Sequence, residues 1–368
     1  MKVLFIFGTR PEAIKLAPVI KSLQKDSRHF KVKICITAQH REMLDQVLTV
    51  FDIKPDYDLN IMKDNQTIFD INIRILNGLK GIIKKINPDL MFVQGDTTTA
   101  FVSALAGFYL KIPIAHVEAG LRTDDKYAPF PEEMNRQLIT RLADFHFAPT
   151  QKAKENLLKE GVKKENIRVT GNTVIDALKL CLKMHSKVDL PVLKNINPQN
   201  RIVLVTVHRR ENFGKPFENI CRALKQIVNN HPNVEIIFPV HPNPNIRKPA
   251  HKYLSGVNRI HLIPPQYYLP FAHLMKASYL ILTDSGGIQE EAPTLGKPVL
   301  VLRDKTERPE AINAGTAKLV GSDFSRIVEE TNLLLTSSIR YQKMAQARNP
   351  FGDGKASKRI YIFLRTMC

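Results

Sequence analysis

The chain has no tryptophan, only 7% aromatic residues, four cysteines, and 35 acidic residues against 54 lysines and arginines. Each shortage excludes something. Cys35, Cys181, Cys221 and Cys368 are scattered, with no CxxC pair and no metal-ligand spacing. That removes a disulfide framework and a structural zinc site, and it fits a reducing cytoplasm. No apolar run approaches the ~20 residues that a bilayer span needs. The first apolar stretch, residues 1–7, runs directly into a turn motif, so neither a signal peptide nor an anchor is expected. The scarcity of acids leaves a net charge of +19, which would suit a polyanion, an anionic membrane surface or an anionic small substrate. Its distribution favours a plainer account. Lys21, Lys25, Lys152, Lys154, Lys159, Lys163 and Lys164 fall on the outer faces of expected helices, not in one stripe. With no zinc finger and no RNA-recognition aromatic pair, nucleic acid is not an expected partner. The charge reads as solvated helix faces with some steering of a small anion.

What is present describes a globular α/β protein. At 368 residues, 43% hydrophobic and 24% charged, the chain exceeds one ordinary core, and two domains are expected. Short β-type apolar runs at residues 3–7, 32–36, 90–94, 114–117 and 145–148 alternate with helical periods such as 11–25, 40–50 and 132–142. After a Pro- and Asn-rich linker at 187–200 the alternation restarts with strands at 202–207, 235–238, 260–263, 279–282 and 299–302. This is the pattern of two doubly wound domains with parallel sheets. The expected limits are 1–172 for the first and 173–350 for the second. A break at Asn349-Pro-Phe-Gly352 would let a last helix, 351–368, pack back on the first domain. Ligands of such sheets bind outside the carboxyl ends of the strands, which places the expected site in a cleft between the domains.

The segment Thr283-Asp-Ser-Gly-Gly-Ile-Gln-Glu-Glu291 combines a strand end, a glycine turn and a helix start. Gly286 and Gly287 remove the Cβ atoms that would keep a pyrophosphate off the backbone, and Ser285 stands at the N-cap position. Exposed N–H groups and the helix dipole supply anion affinity. Glu291 falls one turn into the helix, where a carboxylate can accept both hydroxyls of a ribose. A capped helix after any strand is the structural alternative.

Further polar motifs follow other strands. Gly8-Thr-Arg-Pro-Glu12 only loosely resembles a phosphate loop and lacks the spaced glycines of a dinucleotide fingerprint. Arg10 and Lys15 would lie near a helix start, where the dipole disfavours cations, and an anionic ligand would resolve that placement. Gln94-Gly-Asp96 and His116-Val-Glu118 put Asp96 and Glu118 at equivalent strand ends. Glu132 and Arg136, four apart, share a helix face. Structurally these would be a surface pair and a helix cap. Functionally, three carboxylates and an arginine would converge, and repulsion with burial would raise carboxylate pKa values toward acid/base duty. His208, after the first strand of the second half, can bond a phosphate or shuttle a proton. His241 is either similar or a loop hydrogen-bonder, and His116 reads as a satisfied core imidazole. Arg308 is a cation opposite the nucleotide turn. No HxxxE, HExxH or carboxylate triplet has metal-ligand spacing, so no metal and no cofactor are expected.

Taken together, Gly8-Thr-Arg-Pro-Glu-Ala-Ile-Lys15, Gln94-Gly-Asp96, Glu118-Ala-Gly-Leu-Arg122, Pro131-Glu-Glu-Met-Asn-Arg136, His208-Arg-Arg-Glu-Asn212, Asp284-Ser-Gly-Gly-Ile-Gln-Glu-Glu291 and Thr306-Glu-Arg-Pro309 resemble the bacterial non-hydrolysing UDP-N-acetylglucosamine 2-epimerases. The resemblance runs in order from the first strand to about residue 315. It implies two Rossmann-like domains in a glycosyltransferase-B-like fold and a cytoplasmic homodimer. It also implies interconversion of UDP-N-acetylglucosamine with UDP-N-acetylmannosamine for cell-surface polysaccharide. The implied route eliminates UDP to a 2-acetamidoglucal and adds it back, with Asp96, Glu118 and Glu132 as acid/base candidates. Arg10, His208 and the turn Ser285, Gly286, Gly287 would stabilise the departing phosphate. Lys15 and Arg136 would support sugar and carboxylates, Gln266 and Phe271 would flank the uracil, Glu291 would hold the ribose, and Arg308 would assist at the sugar.

The same resemblance implies a second UDP-N-acetylglucosamine bound as an allosteric activator near Gln39, His40, Gln66, Glu132, Arg209 and His241. Asn65 departs from the cation common before that glutamine. Asp124 replaces the usual glycine, and Asp tolerates a left-handed backbone. Three rivals share parts of this pattern: a glycosyltransferase of the same fold, a hydrolysing epimerase, and a non-catalytic nucleotide-sugar sensor. A transferase would not need three carboxylates around C2, the Gln39-His40 segment leans away from the hydrolysing form, and a sensor could lose Asp96 and Glu118.

Overall fold

The computed structural model describes residues 1–38, 41–63 and 65–368. The chain divides into two compact units, Met1–Met184 with Phe351–Cys368, and His185–Pro350. In the first, strands β1 (Lys2–Phe7), β2 (Lys31–Ile36), β3 (Tyr57–Asp58), β4 (Leu90–Gln94), β5 (Ile114–Val117), β6 (Phe145–Ala148) and β7 (Ile167–Val169) form one sheet in the order β3-β2-β1-β4-β5-β6-β7. Every pairing is parallel. A parallel sheet is covered by helices on both faces, which is why β4 and β5 are buried at every position and read as mostly apolar runs, with Gln94 and His116 as the polar exceptions.

In the second unit, β8 (Arg201–Thr206), β9 (Val234–Pro239), β10 (Ile260–Ile263), β11 (Leu280–Thr283), β12 (Val299–Val301) and β13 (Ala317–Leu319) are ordered β10-β9-β8-β11-β12-β13, again all parallel. In each sheet the strand order reverses once, between β1 and β4 and between β8 and β11. The helices leaving those strands diverge there, so the polar loops at their carboxyl ends border a crevice.

Local chemistry accounts for the helices. In Ile68–Ile86 the buried residues Ile71, Ile75, Leu79, Ile83 and Ile86 recur every three or four positions, giving one apolar stripe. Thr67 and Asp70 form a capping box at its start, and Asn87, with φ 47°, ends it in the left-handed conformation. The sequence-based strands recur within a residue or two, whereas β3, β7 and β13 were not anticipated. They are two or three residues long, and such runs carry no measurable period. Among the described residues no helix is long and apolar enough to cross a membrane.

The expected limit at residue 172 differs from this division, because the helix Thr173–Met184 packs against Arg10–Gln24 and Ala356–Arg365 of the first unit. The returning segment is tied down by Asp176, whose carboxylate accepts from Ala356 N (3.1 Å), Ser357 N (2.9 Å) and Ser357 Oγ (2.6 Å). Phe363 adds edge contacts to Phe145 and Phe147, with ring centroids 5.5 and 5.7 Å away.

Gly120 shows how tightly the first unit is closed after β5. Its φ is +92°, and a Cβ there would lie 2.2 Å from the Ala153 carbonyl oxygen. Gly120→Ala should therefore cost about 3 kcal/mol or more, from backbone strain and displacement of the helix Gln151–Lys159. Gly81, inside Ile68–Ile86, has nothing within 4 Å of such a Cβ, and Gly81→Ala should gain about 0.5–1 kcal/mol. Urea unfolding of both variants checks the contrast.

Candidate active site

In the first unit the polar groups gather at the reversal point. Glu118, one residue past β5, is buried and has a left-handed backbone, φ 66°. Its N–H donates to Phe147 O (3.0 Å), which holds the turn in place. Lys15 Nζ donates to Glu118 Oε2 (2.5 Å), Gln94 Nε2 donates to the same oxygen, and Asn172 Nδ2 donates to Oε1 (3.1 Å). A carboxylate can stay charged at such depth only with donors of this kind. The pairing gives Lys15 a buried anionic partner within the protein. Arg10, at the first helical position, is exposed and makes no ion pair among the described residues.

Asp96, past the end of β4, meets Arg136 Nη2 through Oδ2 (2.6 Å), while its carbonyl accepts from Asn135 Nδ2 (2.9 Å). Burial raises the Asp96 pKa; Arg136 opposes that rise, the nearby Glu118 charge adds to it, and Lys15 opposes it. Two carboxylates thus share one electrostatic neighbourhood. Glu132 is half-buried on the first turn of Glu132–Leu142, and its expected pair with Arg136 is not formed among the described residues. Arg136 turns instead to Asp96 and to the fully buried Glu133 (3.3 Å), where the lower dielectric strengthens attraction. Although burial pushes the Glu133 pKa up, hydrogen bonds from Gln137 and Thr123 N hold it below its ordinary value.

Two neighbouring groups are structural. Glu12 Oε2 accepts from Gly8 N (3.0 Å) and Thr9 N (2.8 Å), and Thr97 Oγ1 donates to Oε1 (2.7 Å). The donors that a phosphate loop would offer are therefore taken by the protein's own carboxylate. His116 is a buried imidazole whose Nε2 donates to Gly95 O (2.7 Å), and burial pushes its pKa down to about 3, so it stays neutral.

In the second unit the organising group is Asp284, buried one residue past β11. It accepts from His208 N (2.9 Å), Arg209 N (2.8 Å) and Asn212 Nδ2 (3.0 Å), with His208 Nδ1 3.0 Å from Oδ1. Burial pushes its pKa up, but His208 and these N–H groups more than offset it and hold the carboxyl below its ordinary value. The loop after β8 is thereby pinned to the loop after β11, and the His208 ring is left partly exposed.

Ser285 occupies the N-cap position of the helix Gly286–Glu291, but its side chain makes no cap bond, a correction to the expected role. Its own N–H donates to Thr283 Oγ1 (3.0 Å), which already turns the chain there. Neither Gly286 nor Gly287 has a positive φ. A Cβ on Gly286 would come no closer than 3.9 Å to Arg308, and one on Gly287 would meet nothing within 4 Å. The fold itself makes no demand for glycine at either place. Glu291 is buried and accepts from Tyr268 OH (2.9 Å), and Arg308 Nε pairs with Glu290. Gln266 is half-buried and donates to Pro264 O (2.8 Å), and Phe271 is half-buried on the helix Tyr268–Ala277.

Of the expected activator residues, Gln39 and His40 lie outside the described residues. Gln66 Oε1 accepts from Arg74 Nη1 (3.2 Å), in the first unit. Arg209 and His241 belong to the second: Arg209 Nη2 lies 4.0 Å from Glu307, and the His241 ring lies 5.9 Å from that of His208. What burial its ring has, and then His208, hold the His241 pKa down. Sequence reasoning missed Gln94, Asn172, Glu133, Glu290 and Tyr268 as partners. For Glu133 a signal existed, since 133, 136 and 140 share the inward helical face with Ile139.

Two Rossmann-like units, each with its charged groups at the reversal point of a parallel sheet, define a glycosyltransferase-B-like α/β protein. The family model for UDP-N-acetylglucosamine 2-epimerase matches residues 21–365. UDP-N-acetylglucosamine 2-epimerase of Escherichia coli (strain K12) is 55% identical over 371 residues, 99% of this chain and 98% of that one. The Salmonella typhimurium enzyme of the same name is 54% identical, covering 100% and 99%. The crystal structure of the Neisseria meningitidis UDP-GlcNAc 2-epimerase bound to UDP-GlcNAc is 51% identical with a TM-score of 0.88, covering 100% of both chains. This chain belongs to the UDP-N-acetylglucosamine 2-epimerase family.

Removal of the Asp284 carboxylate would leave buried donors unsatisfied, and Asp284→Ala should cost about 3 kcal/mol in urea unfolding near neutral pH. Because the folded-state pKa lies below the unfolded one, the contribution is complete above the ordinary carboxylate pKa. It is lost only as pH falls through the depressed folded value. The gap between wild type and variant should therefore narrow on acidification, and a gap that widened would contradict the assignment.

Proposed function

We propose that the protein catalyses the reversible epimerisation of UDP-N-acetylglucosamine to UDP-N-acetylmannosamine at C2. The C2 hydrogen has no adjacent carbonyl to acidify it, so simple deprotonation would be too slow. A base takes the C2 proton as the C1–O bond to UDP breaks, leaving a C1=C2 double bond in a 2-acetamidoglucal and the electron pair on the departing UDP oxygen. That oxygen then adds back to C1, and a proton is delivered to C2 on the opposite face. Atoms balance without a cofactor, and the enzyme is of the non-hydrolysing type.

The observation that carries this proposal is the pair Asp96 and Glu118, two carboxylates in one neighbourhood, with the Asp96 pKa raised by burial. A carboxyl moved toward neutrality serves as acid or base. In this assignment Asp96, Glu118 and Glu132 act at C2, with Lys15 and Arg136 setting charge around them. Arg10, His208 and the Ser285 to Gly287 turn take the leaving phosphate, Glu291 the ribose, Gln266 and Phe271 the uracil, and Arg308 the sugar. The two glycines that no packing or backbone constraint requires support a close backbone approach by the diphosphate. Homology to a protein crystallised with UDP-GlcNAc supports the choice of substrate. We assign the product to cell-surface polysaccharide synthesis in the cytoplasm, with a second substrate molecule as activator at Gln39, His40, Gln66, Arg209 and His241.

We also propose a homodimer. Phe69 and Ile73, one turn apart on Ile68–Ile86, are 81% and 58% exposed, and Phe108 and Tyr109 on Thr98–Tyr109 are exposed as well. Apolar faces of this kind are rare on monomers. A second copy supplies the same surface by symmetry.

In deuterated water, UDP-N-acetylglucosamine should acquire deuterium at C2 in both epimers, with a trace of free UDP; folded enzyme that gives no exchange rejects the proposal. Asp96→Asn should fold and bind UDP but lose exchange by about 100-fold or more, and retained turnover would remove Asp96 from the acid/base set. Sedimentation should find a dimer that Phe69→Glu with Ile73→Glu weakens, whereas a wild-type monomer would sink that part.

A further inference from the structure

We propose that Asn172 is a positioning residue that sets the Glu118 carboxylate for proton transfer and is itself held by the segment returning at Phe351. The inference rests on the epimerase function proposed above. Asn172 follows β7 and is 3% exposed. Its Oδ1 accepts from Val174 N (3.1 Å) at the start of Thr173–Met184. That bond fixes the amide orientation, since the other end must then be the NH2 group. The NH2 end donates to Glu118 Oε1 (3.1 Å), opposite the oxygen taken by Lys15 and Gln94. Each carboxylate oxygen is thus held from a different element.

The backbone of Asn172 faces the other way. Its N–H donates to Phe351 O (2.6 Å), where the chain re-enters the first unit. Two glycines permit this: Gly171 has φ +89° and Gly352 φ +140°, and a Cβ on Gly171 would lie 3.3 Å from the Gly352 Cα. One residue therefore joins the returning strand of chain to the acid/base candidate, with no contact to the reacting sugar assigned to it. A displacement of the return segment would be felt at Glu118 through a single rigid amide.

Among the described residues, charged or titratable groups that act on Glu118 include Lys15, Asp96 and the neutral His116. They are unchanged in the two variants that test the idea. Asn172→Ser keeps an oxygen to cap Val174 N but loses the donor to Glu118. Asn172→Asp keeps shape and cap but places a second carboxylate against Glu118, so the pair titrates above the ordinary range. The introduced acid can donate only when protonated.

C2 exchange and steady-state kinetics should show N172S with kcat lowered about 10- to 100-fold and KM within about threefold, the pattern of an interaction used in the transition state. N172D should be weak at neutral pH and recover as pH falls. Wild-type exchange with both variants keeping the wild-type kcat and pH profile, whatever their melting temperatures, would overturn this inference alone. A wild type that shows no exchange overturns the epimerase function and the inference with it.

Discussion

A carboxylate buried at the end of a parallel strand must be given donors or give up its charge, and both units are organised around that constraint. In the first, Glu118 sits under Lys15, Gln94 and Asn172, drawn from the helix after β1, the strand β4 and the turn after β7. In the second, Asp284 collects the N–H groups of the loop after β8. Each carboxylate converts neighbouring strand ends into one fixed polar surface. Beside Glu118 lies the Asp96–Arg136 pair, and Asp284 holds the partly exposed His208 ring.

The two anchors differ in what they leave available. Asp284 is spent on structure: its pKa is held down and its oxygens face the protein's own N–H groups. Asp96 lies at the other extreme, raised by burial and by the charge of Glu118 against the pull of Arg136 and Lys15. A lowered carboxyl holds a loop, and a raised one is ready to exchange a proton. Glu12 belongs with Asp284 in purpose even though burial raises its pKa, because all its acceptor capacity near Gly8 and Thr9 is used by the loop itself.

Much of the architecture was legible in the chain. The runs of β1, β4 and β5 are mostly apolar because both faces of those strands are covered, and that burial is written in local composition. The motifs at 94–96, 116–118, 208–212 and 283–291 each lie at or just past the end of an apolar run, which located the strand ends that carry polar groups. What escaped was short or non-local. β3 and β7 are two and three residues long, and β7 leads straight to Asn172. Choosing Glu132 over Glu133 as the partner of Arg136 relied on spacing along a helix surface, whereas the inward face was set by packing against the helix Thr98–Tyr109 and β5.

By itself, the sequence determined the kinds of element, their alternation and the residue types placed after each strand, because those depend on runs of five to ten neighbours. Only the tertiary structure decided which donor each carboxylate receives. The partners of Glu118 lie 103, 24 and 54 positions away in the chain. They meet because β1, β4, β5, β6 and β7 lie in that order across the sheet. Strand order is a property of crossovers and packing, and no local pattern encodes it.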